Sequence, residues 1–285
     1  MSSKKTGGHP ARAGQAEDAR EARRAKAAAL RQRELARERS RRVLLISIAV
    51  VVVLALVAVV VVVIDRSRKD DVAAGTGTPP GVTAADGGYV LPGTPAAGAP
   101  TLDIWLDYQC PICKQFEDVS GTVYPQLAAD GKAKVVVHTL SFLDDNLGND
   151  ASERAAEGAA AAAVQGKFVE YTQQVFANQP EQEGTGYTDD QLEQFAKDAG
   201  VADVATWRQQ LDDHTWQGFV RRVQGAMDDQ GVSGTPTVIV TAPDGTKKNI
   251  SQTTQNGGDG SMGQLLGSNG AAFLTDAVAA ATQTP

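Results

Sequence analysis

Cys110 and Cys113 are the only cysteines in 285 residues, and they stand where one periodicity gives way to another. Upstream, Leu102, Ile104 and Leu106 alternate with Asp103 and Asp107, interrupted by Trp105, which predicts a strand ending just before Cys110. Downstream, Phe116, Val119, Val123 and Leu127 fall on one helical stripe, and Pro125 within it predicts a kink or an early break. Pro111 suits the first helical position, where a missing N–H is no loss. A cysteine at a helix start feels the positive end of the dipole and unpaired N–H groups, which favour its thiolate. Cys113 lies one turn on, about 5 Å away and within disulfide reach. Cys110 is then the attacking sulfur, and Cys113 the one that resolves a mixed disulfide. A permanent staple is the competing reading, weakened because so short a loop removes little chain entropy. No second Cys or His cluster completes a metal site, and no phosphate loop, catalytic carboxylate pair or nucleophile elbow stands out. Neither a metal nor a cofactor is expected.

The chain divides by charge. Residues 1–42 carry thirteen Lys/Arg against five Asp/Glu, about +8 net, and read as a basic cytoplasmic tail. Interleaved Glu17, Glu21, Glu34 and Glu38 argue against nucleic-acid binding there. Residues 43–64, Val43 to Ile64, are apolar apart from Ser47. As a helix this stretch spans ~33 Å, enough to cross a bilayer core and contact its lipid. Everything after it carries fourteen Lys/Arg and twenty-nine Asp/Glu, about −15 net. Arg31, Arg33, Arg37, Arg39, Arg41 and Arg42 crowd the N-terminal flank, so the positive-inside rule leaves the N-terminus in the cytoplasm and the acidic part outside. A cleavable signal peptide, with Val72-Ala73-Ala74 as a weak cleavage site, is the rival; its apolar core would run only about 7–15 residues.

Residues 65–97, rich in Gly, Pro, Thr and Ala, read as a flexible tether. From about residue 98 the pattern is globular. Lys134 to Leu140 is a second strand whose β-branched run predicts burial on both faces. Residues 150–230 read as helical almost throughout, with capping-box spacing at Asp150/Glu153 and Thr188/Gln191. Ala155 to Val164 is an alanine-rich, closely packed helix. Thr237 to Val240 is a strand, Pro243-Asp244-Gly245 a turn, and Thr246 to Ile250 can return as a hairpin. A glycine-rich loop over 251–262 precedes a closing helix from Leu265 to Ala281. The order strand, helix, strand, helical block, hairpin, helix is an α/β layout with parallel pairing at its start.

Thr235-Pro236 follows Gly231-Val232-Ser233-Gly234 and leads directly into a strand, which fits either a cis peptide or an ordinary turn proline. His138 reads as a core histidine or as one approaching the site. Together, Asp107-Tyr108-Gln109-Cys110-Pro111-Ile112-Cys113-Lys114-Gln115-Phe116-Glu117 and the distant Gly231-Val232-Ser233-Gly234-Thr235-Pro236-Thr237 resemble the DsbA-like thiol-disulfide oxidoreductases. The resemblance covers roughly residues 98–285. It implies a thioredoxin-like fold with an inserted helical subdomain, here preceded by a single transmembrane helix. It also implies that Pro236 is cis beside the cysteines and that Thr235 offers backbone hydrogen bonds to a substrate chain.

Two departures from that family matter. Strongly oxidising members have histidine between the cysteines, where this chain has Ile112, which donates nothing; a less acidic Cys110 and a milder oxidant are expected. The family's buried acid six residues before the first cysteine is replaced by Ile104, with Asp103 and Asp107 off that register. Glu117 matches another family acid, its alternative being a solvated helix charge. The resemblance further implies a membrane-anchored, extracytoplasmic enzyme that introduces disulfides into exported client proteins. With no second cysteine pair, re-oxidation calls for a separate membrane partner, quinone-linked by family analogy. An isomerase or reductase is the alternative, favoured by Thr235 before the proline. A non-catalytic chaperone domain is the third reading.

Overall fold

The computed structural model describes residues 77–82, 86–254 and 258–282. The basic tail, the expected membrane span, and residues 65–76 and 83–85 of the expected tether lie outside the described residues. Among the described residues no helix is long and apolar enough to cross a membrane.

The expected α/β core is present as a five-stranded sheet. Its strands are β1 (Tyr89–Val90), β2 (Thr101–Asp107), β3 (Lys134–Leu140), β4 (Thr237–Thr241) and β5 (Lys247–Asn249), in the order β1-β3-β2-β4-β5. β2 and β3 run parallel in register from Thr101↔Lys134 to Asp107↔Leu140, joined by α1 (Pro111–Ser120) and α2 (Val123–Ala129). A parallel pair needs such a crossover. β4 lies antiparallel on the other side of β2, and β1 and β5 form the antiparallel edges. Both faces of β2 and β3 are covered towards their C-terminal ends, since every residue from Ile104 to Asp107 and from Val135 to Leu140 is buried.

The fold begins earlier than the composition of 65–97 implies. Tyr89 pairs with Val137, stacks on Phe168 with ring centroids 4.0 Å apart, and is buried. Two residues are too few to show an alternation, and their burial depends on an aromatic more than seventy positions away. The single helical stripe over Phe116 to Leu127 is also divided. α1 closes at Gly121, and α2 restarts at Val123, so Pro125 falls in a first turn, where no intrahelical acceptor awaits its nitrogen.

Six helices separate β3 from β4: α3 (Phe142–Leu147), α4 (Ala151–Val164), α5 (Phe168–Ala177), α6 (Asp189–Asp198), α7 (Val204–Asp212) and α8 (Gln217–Asp229). The alanine-rich α4 is central to this insertion. Its small residues let α5 and α7 approach closely: a Cβ added at Gly158 would fall 2.2 Å from the Tyr171 hydroxyl, and Trp207 Nε1 donates to Gly158 O at 2.8 Å. The Thr188/Gln191 capping box forms in full at the start of α6. Asp150 does not cap α4 with its side chain; Glu153 instead accepts from Arg221 Nε at 3.0 Å and Gln217 Nε2 at 2.7 Å, a pairing with α8 that outcompetes the local box. The hairpin at Asp244-Gly245 forms as expected, whereas the closing helix starts later than expected, as α10 (Gly270–Thr282), and a short α9 (Ser261–Leu265) precedes it. Gly270 packs so tightly on Leu265 O that a side chain there would clash.

Candidate active site

At the C-terminal end of β2 the chain turns sharply: Cys110 N donates to Asp107 O at 3.0 Å, and Gln109 N to the Asp107 carboxylate at 2.9 Å. Cys110 then caps α1, with Pro111 at the first helical position. Its sulfur accepts the Cys113 N–H at 3.4 Å, so the side chain satisfies an orphan donor of the helix start. Cys113, one turn in, is fully buried, while Ile112 between them is 39% exposed. Both thiols are free.

The second motif closes over the first. The Thr235-Pro236 peptide is cis, and Thr237 Oγ1 donates to Gly234 O at 2.7 Å, fastening the loop ahead of β4. Because β4 pairs with β2, this loop meets the start of α1, where the Cys110 thiol donates to Thr235 O at 3.5 Å.

The two sulfurs are electrostatically unlike. Hydrogen bonding from Cys113 is the main cause that lowers the Cys110 thiol to about 6, against the opposing effect of burial and with help from Thr235. Burial, followed by the neighbouring Cys110, pushes Cys113 well above the usual thiol range. One sulfur is a thiolate near neutral pH and the other holds its proton.

Glu117, one turn beyond Cys113, is not a solvated helix charge. It is buried, accepts from Tyr124 Oη at 2.9 Å, and burial raises its carboxyl to about 8. Ile104 is buried among apolar neighbours as its type requires, but Asp107 is buried as well. Desolvation lifts Asp107 to about 7, opposed by donors from Ser152 Oγ at 2.6 Å, Gln109 N and Leu143 N at 3.2 Å. Alternation read along β2 puts Asp107 on a polar face; the Trp105-Leu106 interruption was the available signal that both faces are covered there. His138 belongs to the core: its ring stacks on Trp105 with centroids 3.6 Å apart.

The site also draws on residues that no motif marks. Gln109 Nε2 lies 2.7 Å from Asp144 Oδ1 and 2.8 Å from Asn149 Oδ1, and Gln179 and Tyr187 reach the backbone just before Cys110. All four partners come from the helical insertion. Among the described residues no group of His, Cys, Asp and Glu side chains is arranged to hold a metal ion.

A redox-suited cysteine pair capping a helix, walled by a cis-proline loop on a thioredoxin-like sheet, defines the thiol-disulfide oxidoreductase class. The family described as Thioredoxin matches residues 87–255, more than half of the chain, and the chain belongs to it. Its DsbA-like form is shared with solved structures. MdbA, a thiol-disulfide oxidoreductase from Actinomyces oris, is 22% identical with a TM-score of 0.53, over 68% of this chain and 93% of that one. Oxidised BdbD from Bacillus subtilis is 18% identical with a TM-score of 0.51, over 68% and 99% of the two chains. Oxidised Mtb DsbA is 20% identical with a TM-score of 0.50, over 71% and 92%. No curated protein matches the chain.

Proposed function

We propose that this chain is a membrane-anchored, extracytoplasmic oxidant that passes the Cys110–Cys113 disulfide to exported proteins. The carrying observation is the inequality of the two sulfurs: Cys110, 7% exposed and acidic, and Cys113, with no exposure and holding its proton. A client thiolate attacks Cys110 Sγ, the Cys110–Cys113 bond breaks, and Cys113 leaves with the electron pair and takes up a proton. A second client thiolate attacks the client sulfur of the mixed disulfide, and Cys110 leaves as the stabilised thiolate. The client loses two electrons and the pair gains them. Glu117, neutral at pH 7 and one turn from Cys113, is suited to supply the proton that the buried leaving sulfur needs. The Thr235 carbonyl faces Cys110 and is placed to meet the backbone of a client chain.

The apolar run 43–64 supports anchoring, and the charge asymmetry supports an outward-facing domain. Re-oxidation then falls to a membrane partner, quinone-linked by family resemblance. Trapping the thiol state in intact cells tests direction. A mostly oxidised pair supports the oxidase; a mostly reduced one overturns it in favour of an isomerase or reductase, the reading that Ile112 and Thr235 favour. Full function in a Cys110→Ala, Cys113→Ala double variant would point instead to a non-catalytic chaperone.

A further inference from the structure

The bend that carries the chain from β2 into Cys110 is held from outside itself. Gln179, just past the end of α5, donates through Nε2 to Tyr108 O at 2.7 Å and to Cys110 O at 3.1 Å. A primary amide has two N–H groups, and both are spent on this three-residue bend. Tyr187 Oη gives Tyr108 O a second donor at 2.8 Å. Cys110 O also accepts the Lys114 N–H at 3.1 Å, the first bond of α1. The capping carbonyl is therefore shared between the redox helix and the helical insertion.

We propose that Gln179 is a positioning residue for the redox pair, locking the Tyr108–Cys110 bend and so holding Cys110 Sγ against the Cys113 amide. The Sγ position relative to Cys113 N (3.4 Å) and Thr235 O (3.5 Å) follows from the orientation of the Cys110 peptide unit. Removing Gln179 leaves Tyr108 O its bond from Tyr187, but reduces Cys110 O to its helix bond. The bend therefore loosens at the cysteine end. The clamp stands on geometry; its redox consequence rests on the thiol-disulfide reading above.

The test uses the reduced full chain in mild detergent, with thiolate absorbance followed against pH and Cys110→Ser as the blank. Gln179→Met keeps the length and packing but has no donor. Its Cys110 midpoint is expected to rise by about half a pH unit, the scale of part of one hydrogen bond. The equilibrium with glutathione should move about threefold towards the protein disulfide, since the reduced form loses thiolate stabilisation. Gln179→Glu should move both further, because a carboxylate offers no donor and brings negative charge. Tyr187→Phe, which leaves Cys110 O untouched, should move them less. Asn178→Ala, whose side-chain amide donates to Gln174 O in its own helix, should coincide with the wild type. A Gln179→Met curve superimposed on the wild type, whatever its melting temperature, overturns the proposal. A wild type without an acidic thiolate overturns the reading of the site itself, and the clamp's redox role with it.

Discussion

The Cys110 thiol and the Thr235 carbonyl oxygen meet at 3.5 Å across 125 positions of chain. β2 ends just before one and β4 begins just after the other, so the pairing of these two strands brings the motifs together. The loop is thereby a wall beside the Cys110 sulfur.

The sulfurs should separate by reactivity. Alkylation of the reduced protein is expected to modify Cys110 first, with a rate that rises through about pH 6, while Cys113 resists until the protein unfolds. Cys113→Ser should accumulate mixed disulfides with clients and Cys110→Ser none; mass mapping that finds adducts on Cys113 of the native protein would contradict this assignment.

Stability should fall as pH rises, and Glu117 should be one cause. Its folded value, raised from 4.5 to about 8, means that the native state holds a proton the unfolded chain has released. Stability from that proton is complete below about 4.5 and is lost as pH climbs to about 8. Glu117→Gln keeps an acceptor for Tyr124 and has no proton to lose. Its stability relative to wild type should therefore grow across that window, on the order of a few kcal/mol, and level off above it. Asp107 and Glu157, both raised by burial to about 7, act alike in the two proteins and cancel. Parallel denaturation-midpoint curves against pH would refute this role.

The Ile112 side chain offers Cys110 no hydrogen bond; only its backbone N–H contributes. Ile112→His is expected to lower the Cys110 midpoint below about 6 and make the disulfide more oxidising in glutathione equilibria. Side chain 112 is exposed, so the melting temperature of the reduced form should change little. An unchanged redox equilibrium would show that the dipeptide does not tune this pair.

Gly158→Ala should destabilise the insertion by about 1–3 kcal/mol through overpacking. The new methyl would meet Tyr171 Oη at 2.2 Å and Trp207 Cζ2 at 2.8 Å. Thermal unfolding should report the loss, with the Cys110 titration unchanged while the protein remains folded.

What the amino-acid order alone determined about this protein is what neighbours can settle. Cys110 caps α1 with Pro111 behind it, Thr188 and Gln191 close their box, and Asp244-Gly245 turns the hairpin, because each partner lies within a few residues. The likeness of the two distant motifs to a known family supplied the thioredoxin-like fold and the cis Pro236, which periodicity could not. The tertiary structure decided the rest. Tyr89 becomes a strand residue only because Phe168 covers it, Asp107 and Glu117 hold protons more tightly than free carboxyls only because other elements exclude water from them, and Gln179 reaches Cys110 O from 69 positions away. Desolvation and long-range hydrogen bonds depend on what packs against a group, and no local pattern records that.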